Sequence, residues 1–174
     1  MYPVGLFIIC CALQGLIALT LGPVMLDVLK LQLTFDPNRA RAILEQWSLD
    51  DLHRLSSHLY IDMIYPFLYA AMLRRQTFAL LPDSPLQLVL VWAATIGAAF
   101  DVLENFLLWH AMPDPIDAPD WLLRSLGFFG ILRWIVMTPT VILLMPYSPL
   151  MARVGPLTIP FAPVRRAPSP SHDD

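Results

Sequence analysis

The chain has 174 residues, of which 57% are hydrophobic and only 14% are charged. A soluble domain usually carries about 45–50% apolar and about 25% charged residues, so this composition excludes an ordinary soluble protein and indicates a membrane protein of one domain. The net charge of −3 and the lack of a long basic run exclude an ordinary nucleic-acid-binding protein. The two cysteines, Cys10 and Cys11, are adjacent in an apolar run, so they form no metal-binding or redox motif.

The first predicted membrane span covers residues 4–29. Residues 4–26 carry no charge, and about 20 apolar residues are enough to cross the hydrocarbon core. This run is longer than the apolar region of a signal peptide and has no basic segment before it, so we expect a retained anchor. Gly22-Pro23 predicts a kink near its end.

A short amphipathic helix is predicted over residues 37–47, in the loop that follows. Asp36-Pro37 begins it, and one face carries only apolar residues: Ala40, Ile43, Leu44 and Trp47. This pattern is typical of a helix that lies on the membrane surface. Ser48 and Asp51, three residues apart, then form a capping box that begins the next helix.

Three further spans are predicted over residues 57–73, 86–109 and 121–145. Ser84-Pro85 supplies a helix cap and a first-turn proline before the third span. The sequence therefore predicts an all-α polytopic membrane protein, a four-transmembrane-helix bundle over residues 1–148 with a short interfacial helix between spans one and two. Residues 149–174 are rich in proline, and we expect a disordered tail.

The distribution of Lys and Arg gives an expected orientation in the cell membrane. With four spans, the two termini and the loop between spans two and three share one side. That side carries Arg74, Arg75, Arg153, Arg165 and Arg166 with few acidic neighbours. The opposite side has as many basic residues but many more acidic ones. We expect a multi-pass protein with both termini in the cytoplasm.

Several ionisable residues fall inside the predicted spans, where each costs at least about 2.5–3.5 kcal/mol on insertion scales. Helix rise places Asp62 about 18 Å and Asp101 about 22 Å from one side of the membrane, and Arg133 about 14 Å from the opposite side, so the three depths roughly coincide. One face of span two carries four polar residues at helical spacing: His58, Asp62, Tyr65 and Tyr69. Such residues in a span indicate a functional site or a specific helix-packing interaction.

Span three places Asp101, Glu104 and Asn105 on one face, and span four contributes Arg133. Three carboxyl groups, counting Asp62, then accompany one guanidinium, so we expect at least one bound proton or cation. The three carboxyls are candidates for general acid–base catalysis, although the sequence does not establish that the protein is an enzyme. The other five residues of the cluster are candidate ligand-binding residues: His58, Tyr65, Tyr69, Asn105 and Arg133.

Carboxylate oxygens are also ligands that Mg²⁺ or Ca²⁺ accepts, so a metal at these acidic residues is an alternative. The Glu-x-x-His pairs of di-iron bundles are absent from the sequence. We predict neither a metal site nor a cofactor.

Two local patterns resemble small four-span bacterial integral membrane proteins of uncharacterised function. They are Tyr60-x-Asp62-x-x-Tyr65-Pro66-x-x-Tyr69 in span two and Asp101-x-x-Glu104-Asn105 in span three, with Arg133 in the following span. The resemblance covers spans two to four and implies no activity.

Three functional hypotheses follow from the cluster. The first is a binding site for a lipid or another apolar ligand, in which the carboxyls make polar contacts or act as acids and bases and Arg133 binds an anionic or oxygen-rich head group. The second is a structural or accessory subunit whose charges pair within the chain or with a protein partner. The third is proton or ion translocation, which would require a homo-oligomer because four spans without an internal repeat are few for a monomeric transporter.

Overall fold

The computed structural model describes residues 4–114 and 117–144, and these residues form helices joined by short connections. The α-helices are α1 (Val4–Leu21), α2 (Met25–Gln32), α3 (Pro37–Leu44), α4 (Leu49–Asp62), α5 (Tyr65–Leu80), α6 (Pro85–Ala111) and α7 (Asp120–Leu144). The all-α prediction is confirmed for this part of the chain. The predicted tail, residues 149–174, and the last residue of the predicted fourth span lie outside the described residues.

Three helical segments are long and apolar enough to cross a membrane, by length and composition: Gly5–Gln32, Pro85–Ala111 and Asp120–Leu144. The first contains α1, a 3-10 turn over Gly22–Val24, and α2. Gly22 has a φ of +52°, a conformation that costs a residue with a side chain about 1–2 kcal/mol, and Pro23 follows it. The α-helix is therefore interrupted at Gly22-Pro23, the position where the sequence predicts a kink.

The predicted second span, residues 57–73, is not among these three segments, because it does not form one continuous helix. Helix α4 ends at Asp62 and α5 begins at Tyr65. Pro66 has no N–H to donate to the carbonyl of Asp62, so the helical hydrogen-bond ladder is interrupted there. Helix α5 then continues to Leu80, past the predicted end of the span.

The interfacial helix is shorter than predicted and is held against the start of α7. It covers Pro37–Leu44 rather than residues 37–47, and the Asp36 side chain caps it by accepting a hydrogen bond from the backbone N–H of Asn38 at 3.0 Å. Arg41 donates to the carbonyl of Ala118 at 2.9 Å and to Asp120 Oδ1 at 2.5 Å. These contacts fix α3 to the connection between α6 and α7.

The capping box at the start of α4 is confirmed. The backbone N–H of Ser48 donates to Asp51 Oδ2 at 2.9 Å, and the backbone N–H of Asp51 donates to Ser48 Oγ at 3.3 Å. Hydrogen bonds from the Ser48 side chain and backbone lower the pKa of the exposed Asp51 carboxyl, because they stabilise its charged form. This end of α4 is therefore fixed by local polar contacts.

Glycines on α7 allow the end of α2 to lie directly against it. A Cβ atom at Gly127 would overlap the carbonyl oxygen of Thr34, and one at Gly130 would overlap that of Gln32. Such close backbone contact is the role of small residues between membrane helices. Because Arg133 lies one turn beyond Gly130, the same packing brings the Gln32 side chain to Arg133.

The apolar core consists of two clusters. One centres on fully buried leucines of α4, α6 and α7, among them Leu55, Leu59, Leu108 and Leu123. The other lies among α1, α5, α6 and α7 and includes Cys10, Leu73, Leu90 and Leu144. Tyr65, at the start of α5, packs against both clusters, so the break between α4 and α5 lies where they meet.

Candidate functional site

Arg133 is the centre of the buried polar cluster, with a side chain 12% exposed. Each of its three guanidinium nitrogens lies beside an oxygen of another side chain. Nη1 donates to Asp101 Oδ1, Nη2 donates to Gln32 Oε1 at 2.7 Å, and Nε lies 3.4 Å from Glu104 Oε2. Arg133 therefore links α2, α6 and α7 through charged and polar contacts.

Asp101 also connects α6 to α5. Tyr69 Oη donates to Asp101 Oδ2 at 3.0 Å, so both oxygens of this carboxylate accept hydrogen bonds. The Tyr69 ring contacts the Tyr65 ring edge-on, with centroids 5.2 Å apart. This arrangement places both predicted tyrosines beside the Arg133–Asp101 pair.

The helix break between α4 and α5 is stabilised from α6. Asn105 Nδ2 donates to the backbone carbonyl of Asp62 at 3.0 Å, and this is the carbonyl that Pro66 cannot satisfy. A buried carbonyl without a partner costs about 1–3 kcal/mol, so Asn105 has a structural reason to be at this position.

His58 and Asp62 lie one turn apart on α4 and face each other. His58 Nε2 is 3.5 Å from Asp62 Oδ2. The His58 side chain is only 5% exposed, and its Nδ1 atom is buried without a hydrogen-bond partner. Buried polar atoms normally have partners, so this nitrogen has hydrogen-bonding capacity that the described part of the chain does not use.

Glu104 is fully buried, and neither of its oxygens accepts a hydrogen bond. Its one ionic neighbour in the described part of the chain is Arg133, at 3.4 Å. With Asp62 and Asp101, the cluster holds three carboxyl groups beside one guanidinium. Among the described residues, these groups are not arranged to hold a metal ion.

A cavity of about 640 Å³ opens beside this cluster. Its apolar wall comes mainly from α1, α2, α5 and α7 and includes Phe7, Cys10, Ile17, Leu21, Val28, Leu73 and Met137. Its polar lining includes His58, Asp62, Tyr65, Tyr69, Asp101 and Arg133, together with Gln14, Gln32 and Gln76. Glu104 and Asn105 are not among the lining residues. The cavity is thus amphipathic, with an extended apolar wall and one group of charged side chains.

The structure brings together all eight residues that the sequence analysis selected. Six of them line the cavity, while Glu104 and Asn105 support those that do. The sequence analysis missed Gln32, because it ended the first span at residue 29 and assigned the following residues to a loop. Continuing the helical register through α2 would have placed this amide in the span.

Comparisons of this chain with models of protein families, with curated proteins and with solved structures find no match.

Proposed function

We propose that this chain is a membrane-embedded protein that binds a lipid or another apolar ligand in the cavity beside Arg133. The observation that supports it is the shape and lining of that cavity. At about 640 Å³, it falls within the range of about 300–1,000 Å³ typical of small-molecule sites. Such sites combine a mainly apolar wall with a few polar groups that orient the ligand, as this one does.

The membrane arrangement that suits this proposal has four crossings. In it, α4 and α5 cross together as a discontinuous element beside the three continuous apolar segments. Broken helices occur at membrane depth where the interrupted backbone is buried in protein or lines a cavity. Asn105 satisfies the freed carbonyl here, and Asp62 and Tyr65, at the two sides of the break, line the cavity. We place the protein in the cell membrane with both termini in the cytoplasm.

The three carboxyl groups differ in whether a ligand in the cavity can contact them. Asp62 and Asp101 line the cavity, so a ligand can contact them directly. Glu104 is buried behind Arg133 and acts on a ligand only through that guanidinium. Acid–base chemistry on a bound ligand would therefore require Asp62 or Asp101.

The test is native mass spectrometry of the full chain released from mild detergent. Cys10 faces the cavity from α1, and Cys10→Phe adds a ring there. Its matched control is Ile9→Phe, the adjacent residue, which is 49% exposed and does not line the cavity. We expect wild type and Ile9→Phe to retain an apolar molecule that Cys10→Phe has lost.

Leu73→Phe, at a lining residue on α5, repeats the test if Cys10→Phe does not fold, with helical content by circular dichroism as the check. Equal retention in the filled and control variants, or no retained molecule in any sample, would contradict the proposal. Recovery only in a stoichiometric complex with another membrane protein would instead support the accessory-subunit hypothesis.

A further inference from the structure

The polar lining of the cavity presents free acceptors rather than a free cation. Among the residues that the structure describes, Arg133 is the one Lys or Arg side chain in the lining, and each of its nitrogens lies beside an oxygen of another side chain. Nη1 and Nη2 each keep a second N–H, but an anionic head group that used them would compete with the Asp101 and Glu104 carboxyls for the same cation. Removing one of these contacts would leave a buried polar or charged group unpaired.

His58 and Asp62 are the groups with hydrogen-bonding capacity to spare. Because His58 Nε2 faces the Asp62 carboxylate, the neutral ring carries its proton on Nε2 and leaves a lone pair on Nδ1. That Nδ1 has no partner within the described part of the chain. Within the same part, His58 is the one basic side chain at ion-pair distance from Asp62.

From this, and resting on the proposed function, we infer that the ligand is a long apolar molecule whose polar end donates hydrogen bonds and carries no negative charge. A hydroxyl or an ammonium group has this chemistry. Either would donate to the Asp62 carboxylate beside His58, while its apolar part lies along α1. A carboxylate or phosphate would instead add negative charge to a cluster that already holds three carboxyl groups. The inference reverses the expectation that Arg133 binds an anionic head group.

The experiment compares three probes that each contain twelve carbon atoms in a straight chain and differ at the polar end: dodecanol, dodecylamine and dodecanoate. Each is offered to the full-length protein in mild detergent, and occupancy is read by native mass spectrometry. Occupancy of Cys10→Phe under the same conditions is subtracted, which removes binding to the detergent-covered surface. We expect the alcohol and the amine to bind at least about tenfold more tightly than the carboxylate.

Asp62→Asn tests the assignment of the polar end, with Asp114→Asn, an exposed position outside the cavity, as its matched control. We expect Asp62→Asn to reduce the preference for amine over carboxylate by at least about tenfold, and Asp114→Asn to leave it unchanged.

The outcomes separate this inference from the proposed function. Tightest binding of dodecanoate would overturn the inference and leave the binding function intact, and so would an unchanged amine preference in Asp62→Asn. If no probe binds wild type more than it binds Cys10→Phe, both the inference and the proposed function are wrong.

Discussion

Gly130→Ala tests whether backbone contact between α2 and α7 builds the polar cluster. The added Cβ would overlap the carbonyl oxygen of Gln32, and it would also lie 3.1 Å from the carbonyl carbon of that residue. Since these are backbone atoms, α2 has to move away, and the overlap costs about 1–3 kcal/mol. Replacing a helical glycine by alanine returns about 1 kcal/mol of helix propensity. We expect a net loss of up to about 2 kcal/mol.

The matched control is Gly15→Ala on α1, where a Cβ meets nothing within 4 Å. Gly15→Ala gains the higher helix propensity of alanine without a steric overlap, so we expect it to be neutral or stabilising by up to about 1 kcal/mol. The assay is unfolding of both variants in mixed micelles, followed by circular dichroism. Equal free energies of unfolding for the two variants would refute the close contact between α2 and α7.

Three further changes test individual contacts. Arg133→Gln removes the cation from its buried carboxyl partners, and we expect it to cost about 3–5 kcal/mol in the same unfolding assay; a loss below about 1 kcal/mol would contradict the buried pairing. Asn105→Leu leaves the carbonyl of Asp62 without a donor, so we expect a loss of about 1–3 kcal/mol, and wild-type stability would show that another group satisfies it. Ser48→Ala removes the side-chain contacts of Ser48 in the capping box. Because the folded-state pKa of Asp51 is lowered, the stability that this carboxyl contributes is present above its unfolded-state pKa. That stability is lost as the pH falls through the lower, folded-state pKa. We therefore expect the difference in unfolding free energy between wild type and Ser48→Ala to shrink as the pH falls through the lowered folded-state pKa of Asp51, and a constant difference would contradict the contribution of Asp51.

The sequence predicts the helices and the composition of the cluster because both depend on local patterns. Uncharged stretches of about 20 residues and the helical spacing of Asp101, Glu104 and Asn105 are visible without a structure. The capping box of Ser48 is equally local. Depth calculated from helix rise was enough to place Arg133 near Asp101 on the neighbouring helix.

The features that were missed depend on contacts between distant segments. Pro66 lies inside the predicted second span, but the donor that satisfies the freed carbonyl of Asp62, Asn105, comes from another helix. Gln32 reaches Arg133 because glycines on α7 let α2 approach, and no local pattern near Gln32 predicts this. The assignment of acceptors to Arg133 likewise requires the tertiary structure.

The central claim is that an apolar molecule occupies the cavity beside Arg133, and photo-crosslinking tests it most directly. The probe is a dodecanol analogue with a diazirine in its chain, applied to the full-length protein and mapped by peptide mass spectrometry. The account predicts adducts on cavity residues such as Cys10, Leu73 and Met137, and their loss when excess dodecanol competes. Adducts that fall equally on exposed residues outside the cavity, such as Ile9 and Ile142, and that resist competition would contradict it.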